Sequence, residues 1–377
     1  MKKILVLIIS GSIVLCSLAI LIVFVNIRNN PDVCEAITRG FARFYGSFMS
    51  KIDSVIPFSM TELFFVLLAG GAIFLLIFTI KALIKLKVFT ALCRVCDMAI
   101  IALLTINVYH LTCQFSYNRK EMPLPLYEGE VNREEHVDIY NYFADDLNNC
   151  TAQLAFDKNG DVETKMSLKD ITNEVKKAYE IVNDDYFHPY FGGVKSMVSS
   201  FIYREFQITG VTFAPFSEAN INTLNTHSNI PLTVAHELAH TKGVMREDDA
   251  NKLAFYVCLN SEHPYLRYCA YVSYFSQIEG IATSYYLTDE ERSNLHSVDA
   301  ALNKTRTYEY KFWKGHNLLG DIGDWINNLY IKSSGVKEGT SSYSSGTQYT
   351  HDPTTTKLIP SLYQKIFFEK YYRLKSI

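Results

Sequence analysis

Residues 231–243 read Pro231-Leu-Thr-Val-Ala-His-Glu-Leu-Ala-His-Thr-Lys-Gly243. Pro231 suits a first helical turn and Gly243 a helix stop, so the stretch predicts one short helix. His236 and His240 are four residues apart and share a helix face, which lets both imidazoles reach one metal ion. Val234, Ala235, Leu238 and Ala239 are small or apolar, as a helix packed behind such a site requires. Imidazole suits zinc, and a catalytic zinc keeps three protein ligands and one water. The sequence therefore predicts one Zn2+ per chain. Glu237, one residue on from His236, is placed to take a proton from that water as general base rather than to bind metal.

A third ligand is expected after Gly243. Glu247 and Asn251 share the next helical face, so Glu247 is expected to complete the metal set and Asn251 to orient a ligand histidine. Asp249 is the alternative ligand. It lies about 200° round the helix from Glu247, so the two cannot both face the metal. The same acidic run also suits a helix N-terminus without any metal.

Nearly all the long apolar runs lie before residue 115. Residues 4–25, 62–80 and 95–113 are each read as a transmembrane span, given the roughly 20 helical residues a bilayer needs. An uncleaved anchor fits the first run, because its apolar length exceeds that of a signal peptide and no small-residue cleavage site follows. Lys2, Lys3, Lys81, Lys85 and Lys87 place both of their segments in the cytoplasm, and everything after residue 113 outside. Arg28, Arg39, Arg43 and Lys51 in the first connector weaken that assignment. Arg94 and Asp97, three residues apart, are expected to pair near the membrane surface. Residues 41–55 read either as an amphipathic helix on the outer face or as a plain connector.

Residues 116–338 read as a metal-binding domain, mostly helical with some strand. Helices are expected over 136–154 and 167–182, a strand over 206–216, and core helices over 253–287. Residues 335–356 are rich in Ser, Thr and Gly and read as loop. Residues 357–377, basic and aromatic, are expected to dock on the domain. A net charge of −3 gives no electrostatic case for nucleic acid, and eight cysteines in 377 residues are not a disulfide framework. Cys258 and Cys269 are expected as buried free thiols. No internal repeat is visible, and the sequence does not show an oligomeric state.

His236 to His240, followed by Glu247-Asp-Asp-Ala-Asn251, resembles gluzincin-type zinc peptidases, in which Glu-x-x-(Ala/Ser)-(Asp/Asn) supplies the third ligand. More closely, the chain resembles a family of bacterial membrane proteins, domain of unknown function 3810. The matching segments are Phe115-Ser-Tyr-Asn-Arg119, Pro215-Phe-Ser-Glu-Ala-Asn220, residues 231–243, Arg246-Glu-Asp-Asp-Ala-Asn251, Tyr268-Cys-Ala-Tyr271 and Asn328-Leu-Tyr-Ile-Lys-Ser-Ser-Gly335. Asp249 stands where Glu is expected, which favours Glu247 as ligand, and the tail after Tyr343 departs from the family's usual ending. The resemblance implies a three-span helical anchor with a mostly α, α+β zincin-like domain in the bacterial cell membrane, and the lysines are what place that domain as extracytoplasmic. It does not imply a substrate.

In zincins an edge strand pairs with extended peptide, and residues 210–222 are the natural candidate. Glu218, Asn220 and Asn222 are expected either to line the cleft or to serve as turn residues. An oxyanion stabiliser is expected opposite Glu237, with His227, Arg246, Tyr271 and Tyr274 all open. The first functional reading is a zinc metallopeptidase acting on peptide or protein substrates. The second is a sensor or scaffold whose domain binds a ligand or partner without turnover. An intramembrane protease is disfavoured, because His236 and His240 lie far beyond the last span in sequence.

Overall fold

The computed structural model describes residues 2–283, 286–352 and 357–376. The chain is mostly helical, with three small sheets among the described residues. Three helices are long and apolar enough to cross a membrane: Ile4–Ile27, Met60–Ile84 and Val88–Tyr117. The third packs between the other two. Asn107 Nδ2 donates to the Ser17 carbonyl at 3.0 Å, and Phe24 meets Phe115 edge to face.

All three spans are longer than the sequence predicts. The third begins at Val88 rather than near residue 95, which leaves only Lys85, Leu86 and Lys87 as the connection. Arg94 does not end the helix, because its guanidinium turns to the Phe78 carbonyl and lies over the Phe78 ring, not to Asp97. The connector between the first two spans contains a helix, Arg43–Val55, so the amphipathic reading holds there.

Beyond the third span the core is built round helix Glu247–Leu259, most of whose residues are buried. Phe255 packs on Tyr274, Tyr363 and Phe367, and Phe143 meets Phe367 at 4.8 Å between ring centroids. Tyr363 and Phe367 belong to helix Leu362–Lys375. The C-terminal segment thus docks on the domain, as expected, and joins its core. Its helix starts with a capping box, in which Ser361 and Gln364 satisfy each other's backbone amides. Cys258 and Cys269 are both buried and free.

One sheet bears on function. Its order is Gly193–Ser196, Glu218–Ile221, Gly210–Phe213, the first pair parallel and the second antiparallel, with Gly210 opposite Ile221. The expected edge strand is therefore real only over Gly210–Phe213. Glu218–Ile221 is the central strand and fully buried.

Arg119 ties the two halves together. Its Nε and Nη2 each meet the Glu35 carboxylate at 2.8 Å, and Nη1 reaches the Gly243 carbonyl at 3.2 Å. The guanidinium also stacks 3.5 Å from the Tyr186 ring centroid. Burial works to raise the Glu35 carboxyl, but Arg119 and Arg39 outweigh it and hold it down to about 2. Because the folded value lies below the usual one, this contribution is complete above about pH 4.5 and is lost as pH falls toward 2. Arg119→Met leaves the Glu35 carboxylate paired with Arg39 alone. It should cost about 1–3 kcal/mol in denaturant unfolding of the detergent-solubilised chain, and no measurable loss would show that the Arg119 pair is not structural.

Candidate metal centre

The motif helix runs Ile230–Thr241. Val234, Ala235, Leu238 and Ala239 are fully buried on its core side, which turns His236 and His240 the other way. Gly243 ends the helix with φ +86°, a conformation that favours glycine. A side chain there would also come within 2.8 Å of His188 Nε2. The turn that follows brings the Val244 carbonyl to 2.7 Å from His240 Nδ1. Glu247 then opens the next helix, and Asn251, one turn on, sets its Oδ1 2.8 Å from His236 Nδ1.

Both imidazoles thus have their Nδ1 facing an oxygen acceptor, so each can donate from Nδ1 while Nε2 turns to the centre of the cluster. Both Nε2 atoms point at one carboxylate oxygen. Glu247 Oε2 lies 3.2 Å from His236 Nε2 and 3.6 Å from His240 Nε2. Among the described residues this is the one group of three or more His, Cys, Asp or Glu that could hold a metal ion, its donor atoms all within 4.8 Å of one another. Burial works to raise the Glu247 carboxyl, but the charge and hydrogen bonds of the two histidines outweigh it and hold it well below the usual range. His240 shifts the opposite way: burial lowers it, and Glu247 more than reverses that.

Glu237 lies beside this cluster, buried. Thr212 Oγ1 of the edge strand is 2.7 Å from its Oε2 and 2.9 Å from its backbone carbonyl. Gly210, two residues earlier on the same strand face, packs so closely that a Cβ would sit 2.6 Å from Glu237 Oε1. Burial pushes the Glu237 carboxyl above its ordinary range, against the pull of His236 and His240. Two tyrosines complete the surroundings. The Tyr117 hydroxyl, at the end of the third span, is 3.4 Å from Glu247 Oε1. Tyr343, in the short 3-10 helix Gly339–Ser344, holds its hydroxyl 3.1 Å from Asn327 Nδ2. Burial, then the nearby Glu247 and Glu237 charges, push the Tyr343 phenol well up.

The protein family described as a protein of unknown function, DUF3810, matches residues 38–350. The chain belongs to this family. No curated protein and no solved structure matches it.

In this DUF3810 chain the candidate ligands sort cleanly. Asp249 is not at the cluster. It pairs with Lys252 at 2.6 Å and Arg246 at 3.5 Å, on the side of the helix turned from the histidines. Glu218 and Asn220 lie on the central strand and Asn222 just after it, and all three are buried. Glu218 caps the second span, accepting from Ser59 Oγ at 2.9 Å and from the Met60 and Thr61 amides at 2.9 and 3.0 Å. Asn220 Nδ2 donates to the Val211 carbonyl and Asn222 Nδ2 to the Ile208 carbonyl, both joining the edge strand and its approach to the centre.

The expected oxyanion groups lie elsewhere too. His227 binds Asp161 and Val162, and Tyr271 binds Asp146. Tyr274 stacks on Tyr363, and Arg246 faces Asp248 and Asp249. Thr212, Tyr117 and Tyr343 are the site residues that sequence reasoning missed. Tyr117 lies within the Phe115–Arg119 segment that carried the family resemblance, which was a usable signal. Tyr343 sits in a Ser- and Gly-rich stretch with no periodicity to mark it.

Proposed function

We propose that the chain is a membrane-anchored zinc metallopeptidase of the gluzincin type, with a zincin-like domain. One observation carries this reading. Donors on a tetrahedral zinc with bonds of about 2.0–2.1 Å stand about 3.4 Å apart, and Glu247 Oε2 stands 3.2 and 3.6 Å from the two Nε2 atoms. His236, His240 and Glu247 would hold the ion, with Asn251 and the Val244 carbonyl fixing the imidazoles. Zinc, when bound, lowers the pKa of its water toward about 7 and polarises the carbonyl it meets.

The chain's own groups supply the rest. Glu237, oriented by Thr212, takes the proton of the attacking water and delivers it to the leaving amine. The Tyr343 hydroxyl, near Glu247 and Glu237, donates to the oxygen that gains charge. Strand Gly210–Phe213, whose outer edge pairs with no other strand among the described residues, takes the substrate backbone in extended form. The lysines before residue 88 favour a cytoplasmic start and an extracytoplasmic site.

The test is elemental analysis of the purified full chain. About one zinc per chain is expected. None, even after reconstitution with zinc, would overturn the peptidase and leave the domain as a sensor or scaffold.

A further inference from the structure

Three exposed apolar faces surround the end of the spans from which the domain grows. On helix Arg43–Val55 the face is Phe44, Phe48 and Val55, exposed by 77%, 56% and 79%, and Phe41 extends it one turn earlier. At 100° per residue these four fall within about 60° of arc. Gly46, Ser50 and Asp53, on the opposite side, are buried against the domain. On helix Gly320–Ser333 the face is Ile322, Trp325, Ile326 and Leu329, all exposed, while Gly323 and Ile331 are buried. The third is a short patch, Val198 and Phe201.

Each face is pinned to a span end on the domain's side. Helix Arg43–Val55 lies in the connector between the end of the first span and Met60 at the start of the second. Helix Gly320–Ser333 is held by Arg28 Nη1 on the Ser333 carbonyl at 2.8 Å, and Tyr330 meets the Tyr109 and Tyr117 rings. Glu62, in the first turn of the second span, accepts from the Val198 and Ser199 amides at 2.9 Å each. Scattered exposed leucines need no explanation, but three apolar faces fastened at the ends of membrane spans do.

We propose that these faces are seated in the headgroup region of the bilayer that the spans cross, with helices Arg43–Val55 and Gly320–Ser333 lying in the interface plane. The partner is the lipid surface, because each face continues directly from an apolar span. The metal cluster lies at the same height: Tyr117 of the third span touches Glu247, and Met245 touches Cys113. The edge strand ends there too, with Phe213 against Phe64 and Phe65 of the second span. If the peptidase reading holds, on which this step rests, the substrates are polypeptides held in the same bilayer and cut where they leave it.

Trp313 and Trp325 are the only two tryptophans, so Trp325 can report its own depth. The full chain carrying Trp313→Phe is reconstituted in phosphatidylcholine vesicles brominated at shallow or deep acyl positions. Trp325 emission should be quenched severalfold more by the shallow label than the deep one, and resist aqueous iodide. Quenching by iodide and not by brominated lipid would overturn the seating. So would protection from both, which would mean a protein partner or a second copy covers the face. Should the Trp313→Phe variant not fold, the wild-type chain is compared with Trp325→Phe, which keeps Trp313: shallow-label quenching present in the first and lost in the second is expected, and equal quenching in both would overturn the seating. Zinc content of the same vesicles separates the two ideas. Failed quenching with zinc retained sinks the seating alone, whereas quenching without zinc leaves the seating and removes the peptidase.

Discussion

Glu247→Ala should strip the purified chain of zinc, while Asp249→Ala leaves it in place. Structural zinc sites with four ligands bind with about 10–16 kcal/mol, so an even share is about 3 kcal/mol per ligand, or roughly a hundredfold in affinity. The loss should be no smaller here, because nothing can replace the carboxylate. Asp248 and Asp249 are tied to Arg246 and Lys252. Glu237 is engaged by Thr212. Truncation would also leave a buried and a half-buried imidazole facing each other without the carboxylate that pairs with both. Elemental analysis of the two variants beside the wild type decides it. Zinc retained by Glu247→Ala and lost by Asp249→Ala would move the third ligand. Zinc retained by both would mean the cluster is not the site.

The ligand helix could be read from sequence because its signal is local. Two histidines and a carboxylate at fixed spacing, a glycine stop and a small-residue back face all follow from helical geometry. The spans were equally readable, since a run of apolar residues is its own evidence. Their ends were not. Arg94 sits inside a helix because a carbonyl and a ring on another span receive it, and that partner is 16 residues away.

Glu218 shows the limit from the other side. It is a polar residue beside the motif, and its chemistry suits a cleft. Which strand is central depends on a parallel pairing with Gly193–Ser196 and on the helix end it caps, 157 to 159 residues earlier in the chain. The height of the site was hidden for the same reason. Sequence distance put His236 far from the third span, yet Tyr117 lies 3.4 Å from its companion Glu247. Tyr343 has no pattern at all. It reaches the site because a 3-10 turn packs on helix Gly320–Ser333, and Asn327 of that helix holds its hydroxyl.

Glu237→Gln should keep its zinc and lose turnover by about 10² to 10⁴, the range a positioned general base contributes. The substitution is nearly isosteric. Thr212 Oγ1 can still donate to the amide oxygen, so the edge strand keeps its place. What disappears is a group able to accept the water's proton. Zinc retention is expected from geometry, because the donor atoms that could share one ion belong to His236, His240 and Glu247 and not to Glu237. The measurement is mass-spectrometric detection of new N-termini when wild-type and variant chains, zinc-loaded in vesicles, meet one pool of co-reconstituted membrane proteins. New termini from the wild type that vanish with Glu237→Gln at equal zinc content would establish peptide hydrolysis. Termini produced equally by both would assign them to a contaminating protease. Zinc lost from the variant would make Glu237 a ligand. A zinc-loaded wild type that makes no new termini in the pool would favour a binding role for the centre, with Glu237 held by Thr212 as a structural carboxylate.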